Sequence, residues 1–124
     1  MTVDVELPSS TEAPASARRA LGRLTGHVSE GRLRDLALLV SELVTNAVRH
    51  AAGERLRLVV TVDARTLRVE VHDPGNGFEP RAPEPDPSRP SGWGLFLVDE
   101  LADRWGVDRT PRTLVWFEMD ADAA

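Results

Sequence analysis

The chain has 124 residues, 41% of them apolar and 28% charged, which is enough for one compact domain with a core and too few for two ordinary ones. A formal charge of -5 argues against direct nucleic-acid binding, which shows as a basic patch. Cysteine is absent, which excludes disulfides, thiol nucleophiles and thiolate zinc sites and fits a reducing cytoplasm; no apolar run approaches the ~20 residues that span a bilayer, and no basic-then-apolar signal opens the chain.

All 15 basic residues are arginine. A P-loop needs a lysine at the phosphates and a protein-kinase fold needs one on its third strand, so both common nucleotide folds are disfavoured. Any phosphate site here must use backbone amides, arginine and metal.

From the start of the chain, Val3, Val5 and Leu7 alternate with Asp4 and Glu6, predicting a short half-buried strand at a sheet edge. Pro8-Ser9-Ser10 breaks it. Ser10 or Thr11 can cap a helix running to about Glu30, with Ala17, Ala20, Leu21, Leu24 and Val28 inward. Gly22 and Gly26 would each weaken that helix by ~1 kcal/mol relative to alanine. His27 reads as a surface or packing residue on it, and Gly31 as its end.

Leu36 to Ala51 reads as a second amphipathic helix, with Leu36, Leu39, Val40, Leu43, Val44 and Ala47 as its apolar stripe. Glu42, Asn46 and His50 are four residues apart and stack on one face. An Asn carbonyl can ligate a hard cation, and a Glu can accept a proton from an incoming hydroxyl. A merely polar helix face is the alternative that this helix alone leaves open. Ala52-Gly53 stops the helix.

Leu56–Val62 and Leu67–His72 alternate as two strands joined by a turn around Asp63 to Thr66, with Arg55, Arg57, Arg65 and Arg68 facing out. Asp73-Pro74-Gly75-Asn76-Gly77 follows. A carboxylate at a strand end, with glycines that let a flat ring approach, can accept a hydrogen bond from an exocyclic amine such as adenine's; an ordinary turn is the other reading. Phe78 to Ser91 carries prolines at 80, 83, 85, 87 and 90 and reads as an extended, lid-like loop. Gly92-Trp93-Gly94 opens a helix to about Ala102, whose free amides and dipole suit phosphate, with Leu95, Val98 and Leu101 inward. Trp105 to Val107 begins a strand. Thr113 to Met119 is a last strand, apolar on both faces and so placed between others; the final residues, Asp120 to Ala124, read as a frayed tail.

Glu42-x-x-x-Asn46, Asp73-x-Gly75-x-Gly77 and Gly92-x-Gly94, in this order and with a proline-rich loop between the last two, resemble the N, G1 and G2 boxes of the GHKL (Bergerat) ATP-binding fold. The resemblance covers nearly the whole chain as one domain. It implies an α+β, two-layer sandwich: a mixed, mostly antiparallel sheet with helices on one face. Ser41 to His50 and the short length look like the stand-alone bacterial anti-sigma-factor serine/threonine kinases and their regulatory relatives. Histidine-kinase, gyrase-like and chaperone-like branches are disfavoured, since their additional segments are not expected here.

The resemblance implies roles residue by residue. Asn46 would coordinate magnesium and Glu42 would be the general base. Asp73 would bind the adenine amino group of ATP, with Gly75 and Gly77 shaping the pocket. Gly92 and Gly94, with the neighbouring amides of Trp93 and Leu95, would hold the phosphates, and Thr113 would place a hydroxyl by the adenine. His50 has two readings, phosphate contact or closure of the helix. Trp93 also has two: a contact for a partner or a second copy in a homodimer, or core packing. The implied activity is phosphorylation of an anti-anti-sigma (STAS-like) protein together with sequestration of a sigma factor. The alternative is an ATP-gated partner-binding module with little or no kinase activity. The Thr110-Pro111-Arg112-Thr113 stretch departs from the family, which commonly has a glycine shortly before the last strand.

Overall fold

A computed structural model describes residues 1–50, 55–73, 94–108 and 113–121, the side chains of residues 50, 94 and 95 excepted. The elements are β1 (Thr2–Leu7), α1 (Ala13–Leu21), a 3-10 turn (Gly22–Leu24), α2 (Glu30–His50), β2 (Leu56–Asp63), β3 (Thr66–Asp73), α3 (Gly94–Leu101), β4 (Arg104–Asp108) and β5 (Thr113–Asp120). The five strands form one sheet in the order β1-β2-β3-β5-β4. All four strand pairings are antiparallel, so the sheet is not mixed among the described residues. As expected, β1 is an edge and β5 lies between two strands.

Because side chains alternate along a strand, the register lines them up in rows across the sheet. One inner row runs Val3, Val60, Val69, Phe117, Trp105; the next runs Val5, Leu58, Val71, Val115, Val107. These rows pack under the stripe of α2 formed by Leu36, Leu39, Val40, Leu43, Val44 and Ala47, all buried. α1 adds buried Ala13, Ala17, Ala20 and Leu21, and α3 adds Val98. The result is the two-layer α+β sandwich that the family resemblance implies. No helix among the described residues is long and apolar enough to cross a membrane.

The opposite face of the sheet is charged. Glu118 accepts from Arg104 at 2.9 Å and from Arg68 at 3.2 Å, and Arg68 also donates to Glu70 at 2.9 Å. Arg68 lies 4.4 Å over the Trp116 ring. Surface ion pairs of this kind contribute about 0–1 kcal/mol each, against roughly 1.5–3 kcal/mol for each large apolar side chain buried. The inner rows therefore hold the layers together, and the ladder aligns the strands.

The first helical region departs from expectation. A helix to about Glu30 was predicted; α1 ends at Leu21 and the chain turns through Gly26, whose φ of +88° suits glycine. His27 lies exposed in this turn and not on a helix. Neither Ser10 nor Thr11 caps α1; the N-cap position is Glu12, and the Ser10 hydroxyl accepts from the Glu12 amide at 3.3 Å. α2 starts at Glu30, earlier than predicted, because Ser29 Oγ accepts the Arg32 amide at 3.2 Å and caps it. Gly31 is consequently inside the first turn of α2 and ends nothing.

Candidate functional site

Three of the predicted residues meet in one recess. Asn46 on α2, Asp73 at the end of β3 and Thr113 at the start of β5 line it, with Leu43, Ala47, Val71 and Val115 as apolar walls. Register explains two of them: Asp73 and Thr113 are directly opposed in the antiparallel β3–β5 pair. Alternation then turns both inward, on the same face as Val71 and Val115 two residues away. Both are buried, at 2% and 4% exposure, unusual for a carboxylate and a hydroxyl at the edge of an apolar core. Helical spacing explains the third. Asn46 flanks Leu43 and Ala47, so it closes the recess from the helix layer.

Glu42 sits one turn before Asn46 and is half-buried, but it is not among the residues lining the recess. Burial pushes its carboxyl above the ordinary carboxylate value, against the attraction of Arg49. Two contacts brace its turn of the helix. Arg18 of α1 donates to Ser41 Oγ at 3.0 Å, and the Thr45 hydroxyl donates to the Ser41 carbonyl at 2.7 Å.

The remaining expectations divide. Gly94 opens α3 and Leu95 follows it, as predicted for a glycine-started helix, although the side chain of Leu95 lies outside the described set. His50 is the last residue of α2, but its side chain is likewise outside. Gly75, Gly77, Gly92 and Trp93 lie outside the described residues. α3 is fastened to β4 by a hydrogen bond from Trp105 Nε1 to Asp99 Oδ1 at 2.9 Å. Leu43, Ala47, Val71 and Val115 were legible only as core; that they also wall a recess follows from sharing a face, two or three residues away, with its polar members. The Arg18–Ser41 contact had no sequence signal, being between residues 23 apart on different helices.

A buried carboxylate at one end of apolar walls suits a flat ring bearing an amine, and a single carboxamide oxygen beside it suits a hard cation that keeps most of its other ligands. The chain belongs to the histidine kinase-like ATPase domain family, whose model matches residues 7–119.

Several curated proteins are similar to it. An anti-sigma F factor of Pasteuria penetrans is 30% identical over 123 residues, covering 88% of this chain and 82% of that protein. The serine-protein kinase RsbW of Listeria innocua is 30% identical over 118 residues, covering 82% and 75%. A Mycobacterium tuberculosis protein named as a candidate lipoprotein, LppN, is 29% identical over 117 residues; the match takes in 92% of this chain and 66% of that protein, just under two thirds of its length.

Proposed function

We propose that this chain binds ATP with magnesium in the recess and works as an anti-sigma-factor serine/threonine kinase: it phosphorylates an anti-anti-sigma (STAS-like) protein and sequesters a sigma factor in the cytoplasm. The observation that carries the nucleotide part is the convergence of Asn46, Asp73 and Thr113 on one apolar-walled recess. The names of two relatives, an anti-sigma factor and a serine-protein kinase, support the partner part.

On this reading each residue has a chemical task. Asp73 accepts the hydrogen bond of the adenine amino group while Val71, Val115, Leu43 and Ala47 exclude water from the ring. The Thr113 hydroxyl lies beside the ring, and Gly75 and Gly77 allow the backbone close to it. The Asn46 side-chain oxygen ligates magnesium, which supplies charge neutralisation on the phosphates. Amides from Gly92 to Leu95 at the start of α3 hold the phosphates, needing no lysine. Glu42 accepts the proton of the attacking serine or threonine hydroxyl; its partial burial raises its basicity toward that task. His50, four residues after Asn46 on α2, would contact phosphate or close the helix.

A second reading uses the same pocket without the transfer step: an ATP-gated partner-binding module. One observation favours it, the position of Glu42 outside the lining of the recess. The discriminating experiment incubates the protein with labelled ATP, magnesium and a STAS-like partner. Kinase action predicts label on the partner, reduced ~100-fold or more in Glu42→Ala, the low end of general-base contributions. No transfer, but tighter partner binding with ATP than with ADP, would leave the binding module. Transfer undiminished in Glu42→Ala would remove Glu42 from its role.

A further inference from the structure

α3 is too short to hold itself. It has eight residues and no basic residue in its last turn, while Asp99 and Glu100 stand in its second half, where the negative end of the helix dipole disfavours them. Helices of this length are marginal in water and take their stability from packing. Here Val98 is buried, and Leu97 and Leu101 are partly buried against the core. The C-terminal end of the helix is well pinned. The Ala102 amide donates to the Val98 carbonyl at 2.8 Å and the Asp103 amide to the Glu118 carbonyl at 2.9 Å, while Asp103 Oδ2 accepts from the Asp120 amide at 3.0 Å.

A helix pinned at one end acts as a lever. At 1.5 Å of rise per residue, Gly94 lies roughly 10 Å from Leu101. A tilt of roughly 10° about the pinned end would move the leading amides by about 2 Å, beyond the ~0.5 Å range of a good hydrogen-bond distance. The tilt therefore decides whether those amides can meet a phosphate.

Trp105 supplies a second tie. It stands in the inner row of the sheet, directly opposite Phe117 on β5, and is half-buried against the core. Its indole N–H can only donate, and it donates to Asp99 Oδ1 at 2.9 Å. A bond to a charged acceptor offsets the cost of an acid in that half of the helix. It also joins the middle of α3 to β4, forward of the pinned end.

We propose that Trp105 and Asp99 are positioning residues for the phosphates: the indole–carboxylate bond fixes the tilt of α3 and so aims its leading amides, with neither residue touching the nucleotide. The proposal rests on the reading given above, in which the start of α3 holds the phosphates. The pair then acts on phosphate-bearing ligands alone. The adenine end of the recess is built from Asp73 and Thr113 on β3 and β5, which the tilt of α3 does not move.

The test titrates the whole chain with Mg-ATP and, in competition with it, adenosine, which has the ring and no phosphate. Trp105→Phe keeps an aromatic ring in the row and removes the donor. Asp99→Ala removes the acceptor and leaves the core intact. Each is expected to raise the Kd for Mg-ATP at least about fivefold, the scale of one hydrogen bond, and to leave that for adenosine within about twofold. Asp99→Asn still offers an oxygen acceptor and should stay within about twofold of the unsubstituted protein for both ligands. A role confined to stability would show instead as a lowered thermal midpoint with the ratio of the two Kd values unchanged. If Trp105→Phe unfolds, Asp99→Ala still decides. An unchanged ratio in Asp99→Ala, an equal loss of both ligands, or a loss in Asp99→Asn as large as in Asp99→Ala would overturn the proposal and leave the nucleotide site standing. No binding of Mg-ATP by the unsubstituted protein would overturn the reading of the recess, and the proposal with it.

Discussion

Asp73 shows how a single residue can be read before any fold is known. It continues the inward alternation of Leu67, Val69 and Val71, so the same pattern that buries those three also buries a carboxylate. A buried carboxylate is uncommon at such a core-facing strand position, which is what sets Asp73 apart from the apolar residues before it. Asn46 was equally legible, because helical spacing sets it beside Leu43 and Ala47. The Glu118 cluster was not legible, since it needs the strand order. There the Arg104 guanidinium, with Arg68 behind it, holds the Glu118 carboxyl below its ordinary value; Glu70, which burial would raise, is drawn below its own by Arg68 and His72. A carboxyl lowered in the folded state contributes stability above its unfolded value, about pH 4.3, and loses that contribution as pH falls through the folded value. Thermal melts from pH 6 down to pH 3 should therefore show a smaller loss of midpoint in Glu118→Gln than in the unsubstituted protein. Equal losses would show that the ladder carries no linkage.

At the scale of the element, the start of α2 is the part the spacing misplaced. The apolar stripe begins at Leu36, but the helix begins at its cap, Ser29, which the hydrophobic period does not mark. Ser29→Ala should lower stability in urea by about 1 kcal/mol; an unchanged midpoint would mean that water serves the Arg32 amide equally well. Glycines separate by surroundings in the same way. A Cβ at Gly31 meets nothing within 4 Å, so Gly31→Ala should stabilise α2 by about 0.4–1 kcal/mol through the unfolded chain. A Cβ at Gly106 would lie 2.8 Å from Trp116 Nε1, under the ring that Arg68 covers. Gly106→Ala should cost about 1–3 kcal/mol as the indole is displaced. If the two substitutions moved the urea midpoint in the same direction, the packing of Trp116 on β4 would be wrongly described.

At the scale of the whole molecule, the recess exists because three distant parts of the chain arrive at one place: α2 over the sheet, and the ends of β3 and β5 opposed in register. The N, G1 and G2 spacings anticipate that meeting through family resemblance, whereas composition and periodicity alone stop at two layers and a strand count. Strand order was beyond them, because nothing local says that β5 inserts between β3 and β4. The most direct measurement is calorimetric titration with Mg-ATP of the unsubstituted protein, Asn46→Ala and Asp73→Asn. The account predicts one site in the unsubstituted protein and a roughly 10- to 100-fold loss in Asp73→Asn, the scale of a hydrogen bond to a charged group. It predicts that the gain in affinity from adding magnesium disappears in Asn46→Ala. Equal affinities in all three proteins, or no heat of binding in the unsubstituted one, would contradict it.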